Sequence, residues 1–270
     1  MRRILTGTVI AVVCAAAALA QTSQPKVKSQ KEGQAIQAAF GATDGKAKIA
    51  AIDEVLTKYA DTEFKPLLLS MGAQVYRQMG DSENMVVWAE RALEADPKNP
   101  DTLNLLGNAY ASRTKEFDLD KEDKLAKAEG YAKKALEEIK TAQRPWYVQE
   151  PQWPEVKAQM TAEAHSVLGT SALVRKKYDV AITEFKAAME ASNPPDPATL
   201  VRLASAYIDG GKPDEALPLL EKVLATADAH PQVKSVAQAQ RVRATQLKNK
   251  NAAPAAAKPA PTAPSPEPVK

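Results

Sequence analysis

The 270-residue sequence predicts an all-α fold, a solenoid of stacked helical hairpins. Three observations carry that reading. Helix-favouring stretches rich in Ala and Leu meet at proline-marked corners, as in AERALEADPKNPDTLNLLGNAY from Ala89 to Tyr110. Proline lacks an amide donor and clashes with the preceding turn, so Pro97 ends one helix and Pro100 suits the start of the next. The same corner recurs in register along the chain. No stretch shows the alternation of apolar and polar residues that a half-buried strand requires.

The register is explicit. Leu103, Leu106, Gly107 and Tyr110 give L-x-x-L-G-x-x-Y, and Leu69, Gly72-Ala73 and Tyr76 hold the same offsets 34 residues earlier. Leu200, Leu203-Ala204 and Tyr207 repeat them, and His165, Leu168-Gly169 and Ala172 form a weaker copy. A second pattern, A-x3-F-x2-A, follows each time: Ala181, Phe185, Ala188; Ala128, Ala132, Ala135; Ala216, Leu220, Val223; and Met85, Ala89, Ala92. Small residues at the eighth and twentieth places of such a unit let two antiparallel helices approach closely, and large ones fill the groove around them.

This pattern resembles the tetratricopeptide repeat, a 34-residue helix-turn-helix unit. The resemblance implies a right-handed α-solenoid whose first helices line a concave face, acting as a scaffold for protein or peptide partners. The stretch from Val55 to Asp81 is also similar to periplasmic helical-repeat proteins that assist outer-membrane assembly and the Tol system. An envelope structural or assembly factor, associated with outer membrane or cell wall, is therefore the alternative reading.

In chain order, residues 1–20 read as a secretory signal peptide. Arg2 and Arg3 precede an apolar run, Ile4 to Ala20, that ends in small residues. The run is short for a membrane span. Cys14 lies deep in it after Val13, so a lipid-anchored form is not expected. The expected location is periplasmic or secreted. Residues 21–30 are polar and read as a flexible segment, and 31–65 as a degenerate opening helical pair broken at Gly41 to Gly45. Two repeat units follow over 66–142, the second with nine extra residues between its helices. A connector rich in proline and aromatic residues spans 143–161, and two more units span 162–230. Residues 231–250 form a capping helix, with an apolar stripe and a basic face. A solenoid needs such a polar end. Residues 251–270 are almost wholly Ala, Pro, Lys, Ser and Thr and read as a disordered tail.

Composition limits the chemistry. Removing residues 1–20 takes away the sole cysteine, and with it disulfides and cysteine-ligated zinc. It also takes Arg2 and Arg3 from a formal charge of +3, leaving +1, which argues against nucleic-acid binding. No nucleophile–base motif, phosphate loop or dinucleotide fingerprint is present, so no enzyme, cofactor or small-molecule substrate is expected. Asp118, Asp120, Glu122 and Glu129 fall at calcium-loop spacing. The sixth place, which needs Gly for its sharp turn, holds Asp123, so no metal is expected.

Two candidate binding regions remain. By the family's register, the groove positions are Gln74, Arg77, Asn104, Asn108, Ser112, Ser166, Thr170, Arg202 and Ser205. Some relatives clamp a partner's terminal carboxylate with Lys, Asn and Arg from three repeats. Asn108 and Arg202 match two of those places, but Asn104, Val167 and Ala198 stand at the others, which disfavours a chaperone-tail receptor. In the connector, Trp146, Tyr147 and Trp153 serve either as cover for the gap between units or as an aromatic interface. Cover is the preferred reading, since spaced solenoid faces need it. Membrane contact is possible for the basic capping helix but not expected.

Overall fold

The computed structural model describes residues 23–252. Residues 1–20, read above as a signal peptide and including Cys14, and the residues beyond Ala252 lie outside the described residues. Within them there are eleven α-helices and no strand: α1 Gln30–Gly41, α2 Gly45–Lys58, α3 Lys65–Gln78, α4 Ser82–Ala95, α5 Pro100–Arg113, α6 Lys121–Thr141, α7 Trp153–Val174, α8 Tyr178–Ala191, α9 Pro197–Asp209, α10 Pro213–Ala225 and α11 Pro231–Ala252. Consecutive helices pair as hairpins, and α11 packs across α9 and α10 as the last element. The fold is the expected solenoid.

Each hairpin is held close by a residue too small to keep its partner away. A Cβ on Gly169 of α7 would sit 2.7 Å from the Phe185 ring of α8, and one on Gly107 would sit 3.2 Å from Val167 and 3.3 Å from the Ala128 carbonyl. The first repeat solves the same problem differently. Gly72 stands where the other units carry Leu, and the Trp88 indole of α4 lies over it in the space a Cβ would fill. Trp88 is 5% exposed, with Tyr76 at 5.5 Å and the Arg91 guanidinium 5.1 Å from its ring. Sequence reasoning left this tryptophan unassigned.

The hairpin turns repeat one geometry. Gly80, Lys176 and Gly211 occupy the same place with φ of 75°, 61° and 77°, left-handed backbone that glycine adopts without strain. The residue after each bonds back to the carbonyl of Tyr76, Ala172 or Tyr207, closing the helix end with a Schellman turn. Lys176 is the non-glycine of the three, and its ammonium pairs with Glu116. The second unit departs from the rule: the Thr114 hydroxyl donates to the Tyr110 carbonyl instead, and the chain continues through a loop, 114–120, whose Phe117 and Leu119 are fully exposed.

First helices are joined to one another by polar contacts between repeats. Asn99 caps α5 and Asp196 caps α9, each accepting from the amide and hydroxyl of a threonine three residues on, Thr102 or Thr199. Those threonines reach back to the previous first helix, Thr102 to Ser70 at 3.2 Å and Thr199 to Ser166 at 3.1 Å. Between α5 and α7 the connector breaks this scheme. There the Asn104 amide donates to the Met160 carbonyl at 2.8 Å.

Two departures from the expected boundaries follow. The connector of 143–161 is helical from Trp153 onward, because Pro154 is only the second residue of α7, where a missing N–H costs nothing. The helix α7 is thus 22 residues long, and it lies along α6, itself 21 residues. Gly41 is the last residue of α1 rather than part of the break, which is confined to residues 42–44. The acidic residues at calcium-loop spacing face cations of the chain: Asp118 and Asp120 take Lys124, and Glu122 and Glu129 take Arg175 from the α7–α8 turn.

Overpacking at the close-approach glycines should cost about 1–3 kcal/mol. Gly72→Ala, which drives a methyl into the Trp88 ring, and Gly107→Leu should both melt well below the parent chain. Nothing lies within 4 Å of a Cβ on Gly41. Gly41→Ala should therefore match or slightly exceed the parent. Equal melting temperatures for all three variants would contradict the packing described.

Candidate functional site

The first helices α3, α5, α7 and α9 share one side of the solenoid and enclose a cavity of about 600 Å³, closed at one end by the chain after α8. Of the nine groove positions read from the sequence, Gln74, Arg77, Asn104, Asn108, Ser166, Thr170 and Arg202 line it. Ser112 and Ser205 do not. Their hydroxyls bond the carbonyls one turn earlier, of Asn108 and Val201.

The lining residues differ in how committed they are. Ser166 is engaged with Thr199, and the Thr170 hydroxyl donates to the Ser166 carbonyl. Asn104 is 2% exposed, with its amide nitrogen on Met160, while its Oδ1 has no hydrogen-bond partner. The Met160 carbonyl can only accept, which fixes the amide's orientation and leaves the oxygen bare. Gln74 Oε1 is likewise buried and unpartnered. Arg77, Asn108 and Arg202 have no ion pair or side-chain hydrogen bond among the described residues and are free to contact a ligand.

Three acids that sequence reasoning passed over also line the cavity: Asp101, Glu163 and Asp196. Asp196 is committed as the cap of α9. Asp101 and Glu163 both hold the second place of their units, one turn before the fifth place of Asn104 and Ser166 and on the same helix face. The sequence held this signal, had the groove face been extended back by one turn. Partial loss of water around the Asp101 carboxyl pushes it above its ordinary value, although the residue remains exposed at the groove surface, with Arg77 opposing. Desolvation also raises Glu163, the Asp101 and Asp196 charges add to the effect, and Arg77 again opposes. The Arg77 charge thus acts on both carboxylates from beyond ion-pair distance.

The connector aromatics divide. Trp146 packs against the interior of the first hairpins and Trp153 against that between α5, α6 and α7. Tyr147 meets the Trp146 ring edge-on at 5.5 Å and remains half exposed. Partial burial raises its phenol, and Asp101 and Asp96 raise it further, placing it near the groove's rim. On α11, Arg243 and Lys248 of the basic face pair with Asp209 and Asp214, and Lys234 donates to the Ala227 carbonyl. No described helix is long and apolar enough to cross a membrane, and no described cluster of His, Cys, Asp and Glu could hold a metal ion.

Sequence models of the tetratricopeptide repeat match residues 68–99 and 172–239. These two stretches carry tetratricopeptide repeats. No curated protein matches it. Among solved structures, a thermophilic tetratricopeptide protein from Thermus thermophilus, TTC0263, is similar at 16% identity with a TM-score of 0.54, over 78% of this chain and 99% of that one. PilW, described as a widely conserved type IV pilus biogenesis factor, is similar at 16% identity and a TM-score of 0.53, over 82% of this chain and 92% of its own. At these identities the likeness is one of fold, and the tetratricopeptide fold implies protein or peptide partners.

The raised carboxyl of Glu163 has a consequence for stability. Between the ordinary carboxylate range and the raised value, the fold binds more protons than the unfolded chain. The stability this group contributes is therefore fully present at low pH and is lost as pH rises through the raised value. Glu163→Gln should accordingly melt higher than the parent at neutral pH, and the difference should vanish below about pH 3.5, where both states are protonated. Thermal melts at the two pH values check this. A variant less stable than the parent at neutral pH would contradict it.

Proposed function

We propose that this chain is a non-enzymatic interaction scaffold that holds an extended segment of a partner protein in the concave groove. The observation that carries the reading is the set of uncommitted polar side chains, Arg77, Asn108 and Arg202, facing one cavity from three different repeats. Groups spaced along a groove in this way suit an extended backbone, whose own donors and acceptors need partners. Leaving such a group unpaired costs about 1–3 kcal/mol, so the same groups also discriminate between partners. The connector supports the reading by what it does not offer, since both its tryptophans are engaged in the interior.

We place the scaffold outside the cytoplasm, in the periplasm or secreted. The support is the pair Arg2 and Arg3 ahead of the apolar run to Ala20.

The test is capture of partners from an envelope extract. Replacing Arg77, Asn108 and Arg202 together by Ala should abolish capture while leaving helical signal and melting temperature nearly unchanged, because all three sit on the surface of the groove. Normal capture by this triple variant, with loss on Tyr147→Ala, would move the interface to the connector.

A further inference from the structure

We propose that the segment held in the groove presents a lysine or arginine side chain, seated between Asp101 and Glu163. This deepens the scaffold reading and rests on it. Along the concave face the charged groups run Arg77 on α3, Asp101 on α5, Glu163 on α7, then Asp196 and Arg202 on α9. Cations stand at both ends and carboxylates in the middle. The middle is under-compensated: no described cation lies within ion-pair distance of Asp101 or Glu163, and Glu163 accepts one weak bond, from Gln159 at 3.4 Å.

A second, independent feature points to the same ligand chemistry. The buried Asn104 Oδ1 and the Gln74 Oε1 are both acceptors without donors, on the helices beside these carboxylates. An ammonium or guanidinium brings several donors and no acceptor. It therefore answers the carboxylates directly and brings spare donors into the cavity that Asn104 and Gln74 also line. An incoming carboxylate would instead meet Asp101, Glu163 and Asp196, and like charges brought together repel. The central groove thus has the opposite sign to a receptor for acidic chain ends, and the two outer arginines suit acidic or carbonyl groups on either side of the basic residue.

The charged groups facing the pair are Arg77 from α3, Asp196 from the start of α9, and Asp96 and Tyr147 near Asp101. Because a cation binds the ionised pair, and both carboxyls sit above their ordinary range, binding should weaken on acidification before ordinary carboxylates titrate.

The test uses the full chain and extended peptides of about nine residues, drawn from Ala, Ser, Leu and Val, that differ only in a central Arg, Gln or Glu. Affinities are read by fluorescence polarisation against the parent, the Asp101→Asn, Glu163→Gln double variant and the triple groove variant. The Arg-centred set should bind at least about tenfold tighter than the other two, as charge-assisted pairing requires. The double variant should lose that preference while holding its affinity for the Gln-centred set, its helical signal and its melting temperature serving as the check on folding. Preference for the Glu-centred set, or an Arg preference that survives in the double variant, would overturn this inference and leave the groove standing. Binding that the triple variant retains in full, or no binding by any set, would overturn the groove reading itself.

Discussion

At Gly72, Gly107 and Gly169 the packed neighbours come so near that one added methyl group would meet the Trp88 ring, the Ala128 carbonyl with Val167, or the Phe185 ring. That closeness sets the spacing of each hairpin, and the spacing sets the rest. Hairpins of equal thickness stack in parallel, so first helices fall beside first helices and their outward faces merge into one surface. The groove is thus a by-product of packing in the interior, and a residue far from any ligand, such as Trp88, helps to hold its curvature.

Hydrogen bonds between first helices then fix how the hairpins stack. Ser70 with Thr102 and Ser166 with Thr199 are the same joint made twice, each threonine locked by the cap that begins its own helix. Asn104 with Met160 is the substitute where the connector interrupts the repeat. The substitute is imperfect, since it leaves the Asn104 oxygen bare. Beside it stand the carboxylates of Asp101 and Glu163, both raised by partial loss of water. Unpaired acceptors and raised acids detract from stability in the absence of a ligand, and they sit together where the two regular halves of the solenoid meet.

The fold was legible because its signal is local and repeated. Four units in register fix helix, turn and hairpin partner, and the small residues at their close-approach places are read directly from spacing. What escaped the sequence reading did so for specific reasons. Gly72 stands where other units have Leu, so its large counterpart had to come from the facing helix, one position off the expected place, in Trp88. Prolines 145, 151 and 154 read as an extended connector, yet Pro154 begins a helix as readily as it ends one. Register brought seven of the nine named positions to the cavity, but it gave no view of the acids beside them. Asp101 and Glu163 lie one turn outside the motif, and only three-dimensional proximity shows that both feel the Arg77 charge. The unmatched span between residues 99 and 172 is where the insertion and the long α7 depart from the 34-residue period.

Site-specific photocross-linking would test most directly whether partners meet the concave face. A photoreactive amino acid placed at Asn108, in the groove, is compared with one at Val87 or Val180, half-exposed positions on second helices. The account predicts a discrete partner adduct at Asn108 and none at the other two. An adduct at Val87 or Val180, with none at Asn108, would contradict it.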